Sequence, residues 1–215
     1  MKYLGVDFAW SKNNFSALAL LEDNRFIESV YLKSDEDILK YIYQTKPDII
    51  GVDAALEVKN ESGNRIIENQ ILKDFAKYKL GVYPINKNIM DKLYGGNRAQ
   101  ELFACLEDYP LREKIFEVYT HATIIRCFTK DKVLPYKRKK GRTTPFIKEQ
   151  LEILQNHLDE VVDNMPKYQI SESKSKDLKE IEDRLDSVVC AYSLCRSFTK
   201  GYDSYDDLLL IPKEI

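Results

Sequence analysis

Two segments of the chain end in the same way. Leu4-Gly5-Val6-Asp7 and Ile50-Gly51-Val52-Asp53 are short apolar runs, each terminating on a carboxylate. Short apolar runs suit strands covered on both faces, as in a parallel sheet. A carboxylate at the end of such a strand is costly to ionise unless water, a cation or hydrogen bonds meet it. Open α/β sheets place their ligand sites at the carboxyl ends of parallel strands. Either aspartate alone reads as a turn cap, but two on adjacent parallel strands converge on one spot and read as a site.

The stretches around these runs support an α/β fold. Tyr3 to Phe8 is followed by strand patterns at Phe15 to Glu22 and Arg25 to Lys33, with Asp23-Asn24 as hairpin turn between the last two. Ser34-Asp35-Glu36-Asp37 opens a helix with a serine cap and acids in the first turn, burying Ile38, Leu39 and Ile42. Lys46-Pro47 ends it, and Ile49 to Val52 is the fourth strand. Residues 57–112 read as a mainly helical insertion, and Ile115 to Tyr119 as a fifth strand. A basic loop, Lys137 to Arg142, precedes two long amphipathic helices at Pro145 to Asn164 and Asp177 to Thr199. A polar linker, 171–176, separates the helices, and Leu208 to Ile211 reads as a short edge strand. No internal repeat is present. The expectation is one α/β domain over residues 1–215, its mixed five-stranded sheet flanked by helices.

Composition narrows the function classes. At 215 residues and 44% hydrophobic, the chain can bury the core of one large domain. Asp and Glu number 35 against 33 Lys and Arg, a net charge of -2. That balance excludes a uniformly basic nucleic-acid coat and an acidic tail, while leaving room for local clusters of either sign. Four cysteines without a CxxC pair, and two histidines, speak against structural zinc. The longest clean apolar run, Ala17 to Leu21, is far too short to span a bilayer. No signal-peptide pattern precedes the first strand, so the expected setting is cytoplasmic, with no membrane partner.

Further acids join the strand-end pair. Glu117, in Phe116-Glu117-Val118, is either a third strand-borne ligand or a solvent-facing residue of an alternating strand. Asp183-Arg184-Leu185-Asp186 sets two carboxylates about 60° apart on the last helix. They flank the apolar stripe Leu178, Ile181, Leu185, Val189 and Tyr192. Asp186 lies nearer the core, beside Ser187, Cys190 and Ser193, whose small size lets the helix approach a sheet and leaves room for a cation. Alone, this spacing also describes the charged rim of a surface helix. Together these are hard oxygen donors, which suit Mg²⁺ or Mn²⁺. Two such ions about 4 Å apart activate water and stabilise the leaving oxygen of a phosphodiester. Lys137 to Arg142 can contact phosphates or be simply solvated. Tyr136 offers a stacking surface, though one of 14 tyrosines.

The order β-β-β-α-β, with acids on strands one and four and on the last helix, resembles the RNase H-like nuclease superfamily. More specifically, Gly5-Val6-Asp7, Gly51-Val52-Asp53-Ala54-Ala55-Leu56, and Asn64-Arg65 with Glu68 resemble a family of predicted RNase H-like nucleases catalogued as a domain of unknown function, DUF429. Glu117-Val118-Tyr119-Thr120-His121-Ala122, Leu134-Pro135-Tyr136-Lys137 and Asp183-Arg184-Leu185-Asp186-Ser187 continue the resemblance across nearly the whole chain. It implies the sheet order 3-2-1-4-5. Metal ligands of related resolvases would correspond to Asp7, Asp53, Asp183 and Asp186. The family pattern also includes Arg65, Glu68, Glu117, His121 and Lys137, without fixing their roles. Thr120 stands where the family more often has proline, and Ala55-Leu56 lacks a proline common before the leucine; both concern loop shape.

The expected function is therefore a divalent-metal-dependent nuclease hydrolysing phosphodiester bonds in DNA or RNA. Asp7 and Asp53 would bridge the metals, with Asp186 and Asp183 completing the shell. Glu117 would support them or bind as well, and Arg65, Lys137 and Arg142 would hold phosphates. A resolvase-like role calls for a symmetric homodimer, since a four-way junction has two-fold symmetry. A second reading is a nucleic-acid-binding or regulatory protein that keeps the fold without turnover. A third, an actin-like ATP-binding protein, ranks lower because Asp7-Phe8-Ala9-Trp10 lacks the glycine that a phosphate loop needs.

Overall fold

The computed structural model describes residues 1–214. Seven strands build one mixed sheet: β1 (Lys2–Asp7), β2 (Ser16–Glu22), β3 (Arg25–Leu32), β4 (Ile49–Val52), β5 (Ile115–Val118), β6 (Tyr202–Tyr205) and β7 (Leu209–Pro212). Their spatial order is β3-β2-β1-β4-β5-β7-β6. The pairs β1–β4, β4–β5 and β5–β7 are parallel, whereas β1–β2, β2–β3 and β6–β7 are antiparallel.

The sheet thus has seven strands, not the expected five, although the first five follow the order 3-2-1-4-5. Leu208 to Ile211 is also not an edge. Leu209–Pro212 is buried throughout because β5 and β6 flank it, and the edge strand is the polar Tyr202-Asp203-Ser204-Tyr205. Asp206, Asp207 and Leu208 join the two; the aspartates have φ of 53° and 51°, and the Leu208 N–H donates to the Tyr205 carbonyl at 3.1 Å to close the turn.

Among the described residues there are seven α-helices: α1 (Asp35–Thr45), α2 (Ile66–Asp74), α3 (Lys87–Tyr94), α4 (Arg98–Phe103), α5 (Thr120–Ile124), α6 (Thr144–Val161) and α7 (Ser175–Lys200). The Ser34 side chain accepts from the Asp37 N–H at 3.0 Å, capping α1 as its sequence requires. α1 buries Ile38, Tyr41 and Ile42, while Leu39 is only partly covered. The insertion is less helical than expected: residues 79–86, with Gly81 and Pro84, form an irregular loop between short helices. Its Ile67, Ile71 and Phe75 nevertheless join the same apolar cluster as Leu4 and Val6. α7 starts at Ser175, inside the expected linker. Among the described residues no helix is long and apolar enough to cross a membrane.

Strand alternation assigns each residue a face. Leu4, Val6, Ile50, Val52, Ile115 and Leu209 pack with Ile38 and Ile42 of α1 and Ile67 and Ile71 of α2. Tyr3, Ile49, Phe116, Val118 and Leu210 point the other way, onto Cys190 and Leu194 of α7. α6 lies behind α7, with Leu151, Leu154 and Leu158 against Leu185 and Val188.

Gly5 controls how closely α7 approaches the sheet. A Cβ there would sit 2.1 Å from the Ser187 carbonyl oxygen and 2.2 Å from the Ala191 nitrogen. Helix backbone rests directly on strand backbone, as the small residues Ser187, Cys190 and Ser193 foreshadow. This contact brings Asp186 to the level of Asp7.

Candidate active site

Asp7 ends β1 on the face of Tyr3 and Gly5, and Asp53 follows β4 on the face of Ile49 and Gly51. Both therefore belong to the α7 side. The Asp53 N–H donates to the Val6 carbonyl at 2.8 Å, extending the parallel ladder by one step and setting the two aspartates side by side. α7 supplies Asp186, which is fully buried, and Asp183 and Glu182, which are nearly so. The two strand ends and the helix thus meet as the spacing predicted, with Glu182 an acid the sequence reading missed.

Most of these carboxylates already have partners. Asp186 accepts from the Tyr136 hydroxyl at 2.7 Å and from the Lys137 ammonium, whose nitrogen also lies 3.6 Å from Glu182. Asp183 accepts from the Tyr31 hydroxyl at 2.9 Å and from Lys179, which also reaches Glu182 at 3.1 Å. The Thr120 hydroxyl donates to Asp53 Oδ2 at 2.9 Å, so the residue that departs from the family pattern holds one of the acids. Asp7 alone accepts no side-chain hydrogen bond from any described residue.

Electrostatics follow from this arrangement. Burial lifts the Asp7 carboxyl well above the usual carboxylate range; Lys137 opposes the shift, and Asp186, Asp183 and Asp53 add to it. Burial likewise pushes Asp53 up to about 6, against Lys137 and the Thr120 hydrogen bonds and with help from Asp186. Burial works against the Lys137 ammonium, yet Asp186, Tyr136, Asp7 and Glu182 outweigh it and hold the amine well above its ordinary range. Burial lowers His121 to about 4, and Lys137 reinforces it, so the imidazole is neutral. Its Nδ1 is buried without a hydrogen-bond partner, and its ring lies 5.2 Å from that of Tyr136. Groups shifted this far and gathered beside a cleft are the usual mark of a functional site.

Three expected residues belong to a different cluster. β5 pairs with Glu117 opposite Val52, so the Glu117 side chain points to the α2 face, away from Asp7 and Asp53. There it is neither solvent-facing nor available as a ligand: at 1% exposure it takes Arg65 Nη1 at 2.7 Å and Nη2 at 2.8 Å, and the Leu56 N–H at 2.7 Å. Arg65 also binds Glu68 through Nη2 at 2.7 Å and the Glu57 carbonyl through Nη1 at 2.8 Å. Its guanidinium is thus committed to the protein rather than turned outward to a phosphate. The basic loop divides as well. Lys137 turns in to the acids, Arg142 donates to the Lys137 carbonyl at 2.7 Å, and Lys139 lines the cleft.

That cleft measures about 570 Å³ and runs from Asp7 and Asp53 past Trp10, Tyr83, Tyr119 and His121, floored by Arg65 and Glu117. A second, of about 380 Å³, opens on the other side of Asp7 between Trp10, Phe15, Tyr31 and Lys179. Sequence reasoning missed Tyr31, Lys179 and the carboxylate-binding role of Tyr136. Only Tyr136, next to Lys137 in the Leu134-Pro135-Tyr136-Lys137 motif, carried a local signal.

Hard oxygen donors and the unengaged Asp7 carboxylate fit a divalent cation held by Asp7 and Asp53. Asp186 and Asp183 are engaged elsewhere, and among the described residues no group of three or more His, Cys, Asp or Glu side chains is arranged to hold a metal ion.

Fold and site together define an α/β protein whose mixed sheet delivers two aspartates from neighbouring parallel strands to an acid-bearing helix. The chain belongs to the family described as "Protein of unknown function (DUF429)", whose model matches residues 5–201. No curated protein matches it.

Proposed function

We propose that this protein is a divalent-metal-dependent nuclease of the RNase H-like type, hydrolysing phosphodiester bonds in nucleic acid. The observation that carries this reading is Asp7. It is a half-buried carboxylate with no side-chain hydrogen bond among the described residues, crowded by Asp53, Asp183 and Asp186, at the carboxyl end of a parallel strand. A cation is the partner such a group lacks. The order of β1 to β5 supports the RNase H-like assignment.

Asp7 and Asp53 would hold Mg²⁺ or Mn²⁺, which supplies Lewis acidity toward a phosphate and toward water. Thr120 holds Asp53 Oδ2 at the edge of the cleft, and burial raises the carboxyl to about 6. Tyr136 orients Asp186, and the Lys137 ammonium offsets the charge of Asp186 and Glu182. Arg142 braces the backbone of Lys137, and Lys139 draws the phosphate chain to the cleft. Asp186 becomes a third ligand only if Lys137 yields its place.

That last feature favours the second reading, a nucleic-acid-binding protein without turnover, in which Lys137 is the permanent cation. Incubation of the chain with labelled DNA and RNA in millimolar Mg²⁺ or Mn²⁺ separates the two. The nuclease reading expects products that Asp7→Asn abolishes; equal cleavage by Asp7→Asn overturns it, and binding with no product under any metal establishes the alternative.

A further inference from the structure

Asp7 is a wall shared by two clefts, and each combines an exposed aromatic ring with a lysine. On one side, of about 570 Å³, stand Tyr83, 52% exposed, and Lys139. On the other, of about 380 Å³, stands Phe15, 46% exposed, with the Lys33 ammonium 5.9 Å from its ring centroid. Trp10 lines both. Trp10 and Tyr83 meet at 77° with centroids 6.1 Å apart, forming a corner rather than a stack. Phe15 lies flat on Tyr31 at 4.8 Å and 11°, so the pair forms a rigid platform.

Clefts of this volume admit a ligand the size of one or two nucleotides. A planar apolar ring beside an ammonium suits a base and its adjacent phosphate, because every base has a π-face and stacking on an aromatic side chain tolerates any sequence. Bases within a duplex have their faces covered by neighbouring pairs and cannot offer them to Tyr83 or Phe15 without being extruded.

We infer that the substrate is an unpaired nucleic-acid strand, its nucleotides on either side of the reacting phosphate received by the two aromatic clefts that flank Asp7. This rests on the nuclease reading and names its substrate class. The strand crosses Asp7 with one base in the Trp10–Tyr83 corner and another against Phe15.

Trp10 is the one tryptophan of the chain, so its fluorescence reports occupancy. The full chain in EDTA, where no cleavage occurs, is titrated with a short single strand, with the same sequence annealed as a duplex, and with an abasic strand of equal length. The single strand is expected to quench Trp10 and to bind at least tenfold more tightly than either control. Tyr83→Ala and Phe15→Ala, both at exposed positions, are each expected to weaken binding of a labelled strand about tenfold, the loss of one base stack. Equal affinity for the duplex or the abasic strand, or unchanged affinity in both variants, overturns the inference. Failure of the nuclease reading looks different: preferential single-strand binding with no product in Mg²⁺ or Mn²⁺. Cleavage without any dependence on bases would instead sink this inference and leave the nuclease standing.

Discussion

Two groups of buried acids lie on opposite faces of the same three strands, and they are built on opposite terms. On the α2 face, Glu117 and Glu68 are each 2% exposed in their side chains and share one guanidinium, with the Leu56 N–H closing the set. On the α7 face, Asp7 has no side-chain donor among the described residues, Asp53 has Thr120, and Asp186 and Asp183 rely on a hydroxyl and an ammonium each. Burial of carboxylates is common to both, so burial does not make a site. What differs is that the protein completes the first group and leaves the second in deficit. A satisfied network specifies structure; a deficit is a demand for a ligand.

The largest effect should come from breaking the closed group. Arg65→Met strands two buried glutamates and is expected to cost about 3–5 kcal/mol in denaturant unfolding. A loss near zero would rank the triad with ordinary surface pairs and erase the contrast.

A smaller effect follows from pH in metal-free buffer. Folded His121 titrates at about 4 against an ordinary 6.5, so the unfolded chain binds the proton first and stability falls as pH drops across that interval. Folded Asp53 titrates at about 6 against an ordinary 3.8, so the folded chain binds the proton first and stability rises as pH drops from 6 toward 4. Each contribution is about 3 kcal/mol at most, before water in the cleft screens it, and in the native protein they oppose each other. His121→Gln should leave the rise and Asp53→Asn the fall. Two variants with parallel stability–pH curves would show that these groups are not the ones titrating.

Gly5→Ala probes the contact that assembles the open group. Its Cβ meets backbone of α7 at 2.1 Å, so helix and strand must separate, at about 1–3 kcal/mol. The same substitution leaves the Arg65 triad untouched, and a far-UV and unfolding comparison with Arg65→Met distinguishes strain from a lost charge partner. The smallest effect carries the opposite sign. Asp7→Asn removes a carboxylate repelled by three others and should raise the melting temperature in EDTA, by about 1 kcal/mol of stability. Destabilisation would mean that Asp7 has a partner after all.

Local patterns in the sequence carried much of this. The serine cap of α1, the paired strand-end aspartates and the small residues of α7 each show in a short local pattern, whichever element they go on to meet. Glu117 was harder, because Ile115-Phe116-Glu117-Val118 is buried throughout and shows no alternation to reveal its phase. Only the pairing of Glu117 with Val52 turns it toward Arg65. β6 was concealed by its polar sequence, which suits an edge strand but equally suits a turn. Tyr136 and Tyr31 reach α7 from 50 and 152 residues away, and no local period can report such a contact.

The Gly5 contact also has a consequence in time. Asp7 lies near the start of the chain and Asp186 on a helix near residue 200, so the acids come together only when α7 docks onto β1. Contacts so distant in sequence carry a larger loop-closure cost than the local hairpin of β2 and β3. A nascent chain that has not yet delivered α7 holds two lone strand-end aspartates and neither Lys179 nor Asp186. The acid cluster is thereby left incomplete until translation has produced nearly the whole domain.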